Sequence, residues 1–370
     1  MAATPAPATL LPRKHLCRIL VDSFADRGLT NAQMANAREI ILRLDPEQFH
    51  VTLFHVQAPD ERIRRRPNTE LIPLPRRRQT LRIFREFLLG SHEVLFYLKV
   101  APASRWYMEL RRISGDRRIV VGSVESRSDL RNEPTVPKRV VRMWERTVLR
   151  SDYLFSNSQA VKESLKREFG IESEVVPTGV DTSFFVPSAR QLPKAKPRVL
   201  FVGALRPFKQ PQLLLAAARK FPQADFVIVG EGVLAVELQQ EIARENLTNA
   251  TLTGPLAASD LLLQYHAADV FLFPSQWEGS PKVILEAAAC GLPVIARRSY
   301  QPESVVHGDT GYLVDSDDEL FARLQDLLAS EELRRALGAA GRRHAESFDW
   351  DHIAGRWAEI FLKLTRRIRD

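Results

Sequence analysis

From Cys17 onward the chain alternates short, apolar, β-branched runs with longer stretches whose apolar residues recur at helical spacing. CRILVD (17–22), HVTLFHV (50–56), EVLFYLK (93–99), RIVVGSV (118–124) and DYLFSNS (152–158) read as strands, and Asn31 to Leu44 reads as a helix. Strands that are apolar throughout belong in a sheet covered on both faces, and intervening helices make that sheet parallel. The rhythm breaks at VPSARQLPKAKP (186–197), where three prolines and no periodicity predict a linker. It restarts with RVLFVGA (198–204), DFVIVG (225–230), ATLTG (250–254), VFLFPS (270–275) and PVIAR (293–297). The predicted class is therefore α/β, with two doubly wound, Rossmann-like domains at 17–187 and 198–350, joined by a linker at 188–197. Two such domains would face a cleft at the carboxyl ends of their strands. The last helix, 351–370, carries Ile353, Trp357, Ile360, Phe361 and Leu364 on one face. That stripe either covers its own domain or crosses back to the first.

Composition narrows the class. Of 370 residues 45% are hydrophobic and 26% charged, which argues against collagen, a coiled coil and wholesale disorder. No run approaches the ~18 apolar residues of a membrane span. MAATPAPATLLPRKHL (1–16) lacks the apolar block of a secretory signal and reads as a disordered tail. Cys17 and Cys290 fall in separate predicted domains, which excludes a disulfide framework and suits a reducing cytoplasm.

The net charge of +8 is uneven: residues 1–190 hold 32 basic and 22 acidic side chains, residues 191–370 hold 21 and 23. From Arg62 to Arg85 there are nine arginines and one acid, Glu70. Within RRRQTLRIFREFLLG (76–90), Arg78, Arg82 and Arg85 share one face and Ile83, Phe84, Phe87 and Leu88 form the other, and with Arg76 and Arg77 the three make a candidate membrane patch. Such a helix either lies on an anionic membrane surface or packs its apolar face on the sheet and leaves the arginines in water. Nucleic acid is a poor partner, because no DNA- or RNA-reading module accompanies the charge.

The segment PSQWEGSPKVILEAAACGLPVIA (274–296) carries the most chemistry. A strand ends at Ser275, a loop holds Trp277, Glu278 and Gly279, and a helix follows with Ser280 as its cap and Pro281 at its first position. Backbone N–H groups at the positive end of a helix suit a phosphate, and Gly279 lets a ligand approach the backbone. Glu286, inside the helix, can accept from vicinal hydroxyls such as a ribose diol. Glutamates eight apart also occur at 39/47, 125/133 and 237/245, but only 278/286 spans a strand–loop–helix junction. In VLFVGALRPFKQ (199–210) a strand ends at Gly203, and Arg206 and Lys209 follow on the loop, where two cations complete a diphosphate clamp or merely solubilise it.

Taken together, Glu278 and Glu286 in EGSPKVILEAAACGLPV, Arg206 and Lys209 after FVGA, VVPTGVDTSFFVP (175–187) and FDWDHIAGRW (348–357) resemble the family 4 retaining glycosyltransferases of the GT-B fold. The match is specific over residues 152–365 and architectural before them. The resemblance implies a nucleotide-diphosphate sugar as donor and a glycan or lipid-linked acceptor, in cell-envelope polysaccharide, lipopolysaccharide or glycolipid synthesis at the cytoplasmic face of a membrane. It implies catalytic roles for Arg206, Lys209 and Glu278. A donor site would be formed by these with Gly203, Gly254, Leu256, Gly279, Ser280, Pro281, Lys282, Val283 and Glu286. It implies front-face attack, with a donor phosphate oxygen taking the acceptor's proton, and neither metal nor cofactor.

Three positions depart from the family pattern. Ala204 stands where an arginine is usual, with Arg206 two residues later. The first loop offers Gly28 in DSFADRGLTNAQ instead of a Gly-Gly turn. VVGSVES replaces a usual histidine with Ser123 and Glu125. Gly28, Asn31, Ser123 and Glu125 are the expected acceptor-side residues. Two motifs are decoys: Gly230-Glu231-Gly232 imitates a dinucleotide fingerprint but lacks its distal acid, and Asp315-Ser316-Asp317 reads as a helix cap, not a metal pair. A nucleotide-sugar epimerase and a non-catalytic adaptor are the alternatives, and Ala204 is what keeps the second open.

Overall fold

The computed structural model describes residues 15–26, 32–124, 137–188 and 195–369. In its amino-terminal part the chain runs β1 (Cys17–Phe24), α1 (Ala32–Arg43), β2 (Phe49–His55), α2 (Glu61–Arg65), β3 (Thr69–Pro73), α3 (Gln79–Leu89), β4 (Val94–Phe96) and α4 (Pro102–Ser114). It continues through β5 (Ile119–Val124), α5 (Lys138–Arg146), β6 (Tyr153–Ser156), α6 (Gln159–Phe169) and β7 (Glu174–Val175). These strands form a sheet of order β3-β2-β1-β4-β5-β6-β7. Next come β8 (Arg198–Val202), α7 (Gln212–Lys220), β9 (Asp225–Val229), α8 (Ala235–Arg244), β10 (Ala250–Gly254), α9 (Ala258–Ala267) and β11 (Val270–Phe273). The chain ends with α10 (Lys282–Ala289), β12 (Val294–Arg297), β13 (Gly311–Val314), α11 (Asp317–Ala329), α12 (Glu331–Glu346) and α13 (Trp350–Arg369). Their sheet has the order β10-β9-β8-β11-β12-β13, and every described pairing in both sheets is parallel. The α/β, doubly wound expectation is borne out.

Contacts divide the described residues into two compact units. One draws on Met1–Gly122, Met143–Tyr153 and Ala354–Asp370, the other on Ser123–Arg142 and Leu154–Ile353. Of the two destinations open to the last helix, α13 takes the first unit from Ala354 onward. Phe361 is fully buried there, 4.9 Å from the Phe96 ring and 6.3 Å from Phe49, and Trp357 lies 4.8 Å from Phe96.

In the second unit, two of the quoted motifs meet each other. Val180 N–H donates to the Phe348 carbonyl at 2.9 Å, Trp350 N–H returns to Val180 at 3.1 Å, and Thr182 donates to Asp349. A Cβ on Gly179 would stand 2.5 Å from the Trp350 ring, so glycine is needed where the two segments meet in a parallel bridge. VVPTGVDTSFF and FDW thus form a structural seam. Ser316 caps α11, accepting from Glu319 N–H at 3.2 Å, while the Glu319 carboxylate reaches back past the cap to accept from Asp315 N–H at 2.9 Å.

Candidate functional site

In the second sheet β8 pairs with β9 on one side and with β11 on the other, so the connections after β8 and β11 leave in opposite directions and open a crevice at their carboxyl ends. After β8 the chain passes through Gly203-Ala204-Leu205-Arg206 into a short 3-10 turn, Pro207–Lys209, closed by Gln210 at φ 51°. This loop lies on the one that follows β9. Leu205 N–H donates to the Glu231 carbonyl at 2.8 Å, and Leu234 N–H to the Leu205 carbonyl at 3.1 Å. A Cβ on Gly230 would be 1.9 Å from the Gly203 oxygen, and one on Gly232 would be 2.5 Å from the Leu205 oxygen. The glycines that imitate a dinucleotide fingerprint are required by this approach of two backbones. Gly254 closes β10 at φ 76° and accepts from Gly230 N–H at 3.0 Å, while Leu256 packs on the second core.

Lys209 and Glu278 meet across the crevice. The ammonium donates to Glu278 Oε1 and sits 5.0 Å from the Phe273 ring and 5.5 Å from the Phe208 ring. Ser275, fully buried, donates its hydroxyl to the same Oε1 at 2.7 Å. The Lys209 and Glu278 side chains are only 15% and 14% exposed, so the pair is substantially desolvated. Phe208 stacks on Trp277 with centroids 4.1 Å apart, and Gln276 N–H donates to the Phe208 carbonyl at 2.8 Å, which ties the two loops together. Arg206 is exposed, and its guanidinium makes no hydrogen bond or ion pair among the described residues.

The helix start differs from the expectation by one residue. Pro281, at ψ 111°, is the cap of α10, and no side chain caps it. Proline has no N–H, so an anion at this helix start could meet only the amides of Ser280, Lys282 and Val283, with Gly279 ahead of them. Glu286 keeps some exposure as a residue, yet its carboxyl is enclosed: burial raises its pKa, against the pull of the Tyr265 hydroxyl, which donates at 2.9 Å, and of Lys282. Ser275 and Tyr265 carry no signal in hydrophobic patterning, and both hold a glutamate that does. Burial pushes the Cys290 thiol up to about 12, which leaves it inert as a nucleophile.

In the amino-terminal part, Gly28, Asn31 and Glu125 lie outside the described residues, and Ser123 is buried in β5. Sequence reasoning passed over Asp22 and Lys99, which close the predicted strands CRILVD and EVLFYLK. Asp22 accepts from Lys99 N–H at 2.8 Å, and the Lys99 ammonium lies 4.5 Å over the Phe24 ring. Burial raises the Asp22 pKa and lowers that of Lys99. The available signal was a charge at the end of each of two apolar runs. The apolar face of α3 is packed: Phe87 is fully buried, and Ile83 and Phe84 pack against the core. Arg76, Arg77, Arg78 and Arg85 are exposed and Arg82 half-buried, and none of the five forms an ion pair among the described residues. Arg78 precedes the helix at φ 64°.

The sequence model of the family described as "Glycosyl transferases group 1" matches residues 185–344. A GDP-mannose-dependent alpha-(1-6)-phosphatidylinositol monomannoside mannosyltransferase of Mycolicibacterium smegmatis is 30% identical over 332 residues, 81% of this chain and 83% of that protein. A D-inositol 3-phosphate glycosyltransferase of Rhodococcus jostii is 31% identical over 246 residues, 60% of this chain and 54% of that protein. The chain thus spans about half the length of the first curated relatives it matches. Among solved structures, sucrose-phosphate synthase from Thermosynechococcus elongatus superposes with a TM-score of 0.79 at 20% identity, covering 95% of this chain and 100% of that one. Anabaena Alr3699/HepE in complex with UDP and glucose gives 0.75 at 18% identity, covering 94% and 100%.

Proposed function

The chain belongs to the family of group 1 glycosyl transferases and has the GT-B fold, and on that premise we propose that it moves a sugar from a nucleotide-diphosphate sugar to an acceptor hydroxyl with retention at the anomeric carbon. The observation that carries this reading is the Lys209–Glu278–Ser275 cluster at the carboxyl ends of β8 and β11, beside the uncapped start of α10. Lys209, Arg206 and the amides of Ser280, Lys282 and Val283 would take the diphosphate, stabilising charge as it develops on the leaving group. Glu286 would accept from the ribose hydroxyls. The acceptor oxygen attacks the anomeric carbon on the face from which the diphosphate departs. The carbon–oxygen bond breaks toward phosphate, and the acceptor's proton passes to the departing phosphate oxygen. Those cations and amides supply the positive charge the step needs, so the proposal includes no metal and no cofactor. Activity abolished by EDTA and restored by a divalent ion would contradict that part.

The acceptor is proposed to be a glycan or lipid-linked hydroxyl in cell-envelope synthesis, reached from the cytoplasmic face of a membrane. No described helix is long and apolar enough to cross a bilayer. What supports peripheral attachment is the set of unpaired arginines around α3, next to Leu81 and Leu89, which are 56% and 68% exposed. Sedimentation with anionic but not neutral vesicles, reduced in an Arg76/Arg77/Arg78→Ala variant, is the expected result; equal recovery with both vesicles would count against attachment. The transferases named above favour neither the epimerase nor the adaptor alternative. The donor site is tested by thermal shift of wild type, Lys209→Ala and Glu286→Ala with UDP, GDP and ADP. One nucleotide should stabilise the wild type by several degrees and fail to stabilise either variant. No shift with any of the three sinks the reading.

A further inference from the structure

Tyr300 stands in the 3-10 turn Arg298–Tyr300 that follows β12, with no solvent exposure. Its hydroxyl has no hydrogen-bond partner among the described residues. A buried hydroxyl without a partner is rare in a folded protein, because phenylalanine would fill the same volume without stripping a polar group of water. The turn is docked on the loop that carries Glu278: Ser299 donates its hydroxyl to the Gln276 carbonyl, two residues before the glutamate. The Glu278 carboxylate is close enough to raise the Tyr300 phenol further above its ordinary pKa than burial alone does.

Glu278 is unevenly satisfied. Lys209 and Ser275 both donate to Oε1, and Oε2 accepts from no described residue. On the proposed function Lys209 must turn from Glu278 to the diphosphate when the donor arrives. That would leave a largely buried carboxylate with Ser275 alone, a state that buried carboxylates avoid by finding another donor or a proton.

We propose that Tyr300 is a positioning residue for Glu278, whose hydroxyl donates to the carboxylate in the nucleotide-bound protein once Lys209 has moved to the diphosphate. The inference rests on the proposed function. In the ligand-free chain the hydroxyl is idle, so its removal should be felt only on binding.

The test is Tyr300→Phe, with nucleotide affinity measured by calorimetry using whichever of UDP, GDP or ADP stabilises the wild type. Without nucleotide the variant should melt at the wild-type temperature or above. Its affinity should fall roughly tenfold or more, the value of a hydrogen bond to a charged group. In a Glu278→Gln background the same substitution should change affinity little, since the charge it serves is gone. Wild-type affinity in Tyr300→Phe overturns the inference, as does an equal loss in both backgrounds. A variant that no longer folds also overturns it, because the hydroxyl would then be at work without ligand. If no nucleotide stabilises the wild type, the proposed function fails first and the inference fails with it.

Discussion

Replacing Glu278 with glutamine should strengthen the binding of a bare nucleoside diphosphate while weakening the ligand-free protein. In the free chain Lys209 is held by Glu278 within a cluster closed by Ser275, Phe208 and Phe273. Two unit charges 4 Å apart attract by about 4 kcal/mol at an effective dielectric near 20, before desolvation is counted. Burial at 14–15% exposure offsets much of this, so the charge-assisted hydrogen bond that a diphosphate would displace on the proposed function is worth about 1.5–3 kcal/mol. Glutamine keeps the volume and an acceptor oxygen but removes the charge. The lysine is then already released, and the diphosphate gains what the carboxylate had held. Affinity should rise roughly 10- to 100-fold. Calorimetric titration of both proteins with the stabilising diphosphate, at fixed salt, reads the difference directly; omitting the sugar keeps contacts to the transferred group out of the comparison. The ligand-free variant should melt lower, because a mostly buried ammonium has lost its counter-charge. An affinity equal to or below wild type would refute the idea that Glu278 and the diphosphate compete for Lys209.

Other substitutions probe the frame around that pair. Burial raises the Glu286 pKa above its ordinary 4.5, so the folded chain binds this proton more tightly than the unfolded one, and the associated stability is lost as pH rises through the folded value. Melting curves of Glu286→Gln against wild type should therefore diverge in the variant's favour as pH rises above 4.5; a constant gap would assign the pH response elsewhere. Phe361→Ala empties a fully buried site between Phe96 and Phe49 and should cost about 3–5 kcal/mol, lowering the melting of the first unit by roughly 6–20 °C. Gly232→Ala brings a Cβ within 2.5 Å of the Leu205 oxygen at φ 154°, so it should destabilise by more than ~1 kcal/mol and weaken nucleotide binding by shifting the loop before Arg206. A variant with wild-type melting and affinity would show that this backbone approach is not needed.

The strands that hydrophobic patterning recovers are, apart from the edge strand β10, those buried along nearly their whole length. Three escape it: β3, β7 and β13. In β3, TELIP buries only Ile72, because an edge strand needs no continuous apolar run. β7 is two residues long, and β13 is GYLV behind a polar turn. Patterning also overextends β4: EVLFYLK looks like seven residues of strand, but Tyr97 turns to φ 61° and ends it at Phe96. Apolarity cannot report that turn, since Tyr97 and Leu98 stay buried in an irregular segment.

The chemistry divides along a similar line. Lys209 and Glu278 were each visible as a charge just beyond a buried strand, but their contact was not, because 69 residues separate them and only the order β8-β11 brings the loops together. Nor does a motif say in what state its charges wait. Residues that meet a diphosphate carry opposite charge to it, and in a largely dehydrated crevice that charge needs a partner from the protein itself. Here Glu278 serves, so on the proposed function the glutamate and the diphosphate would draw on one lysine. On that reading the same enclosure that would strengthen the clamp also holds its lysine to the glutamate, and affinity would depend on what receives the carboxylate when the lysine leaves. The single unpartnered hydroxyl on the neighbouring turn, that of Tyr300, is the group whose removal separates this account from one in which the clamp stands open.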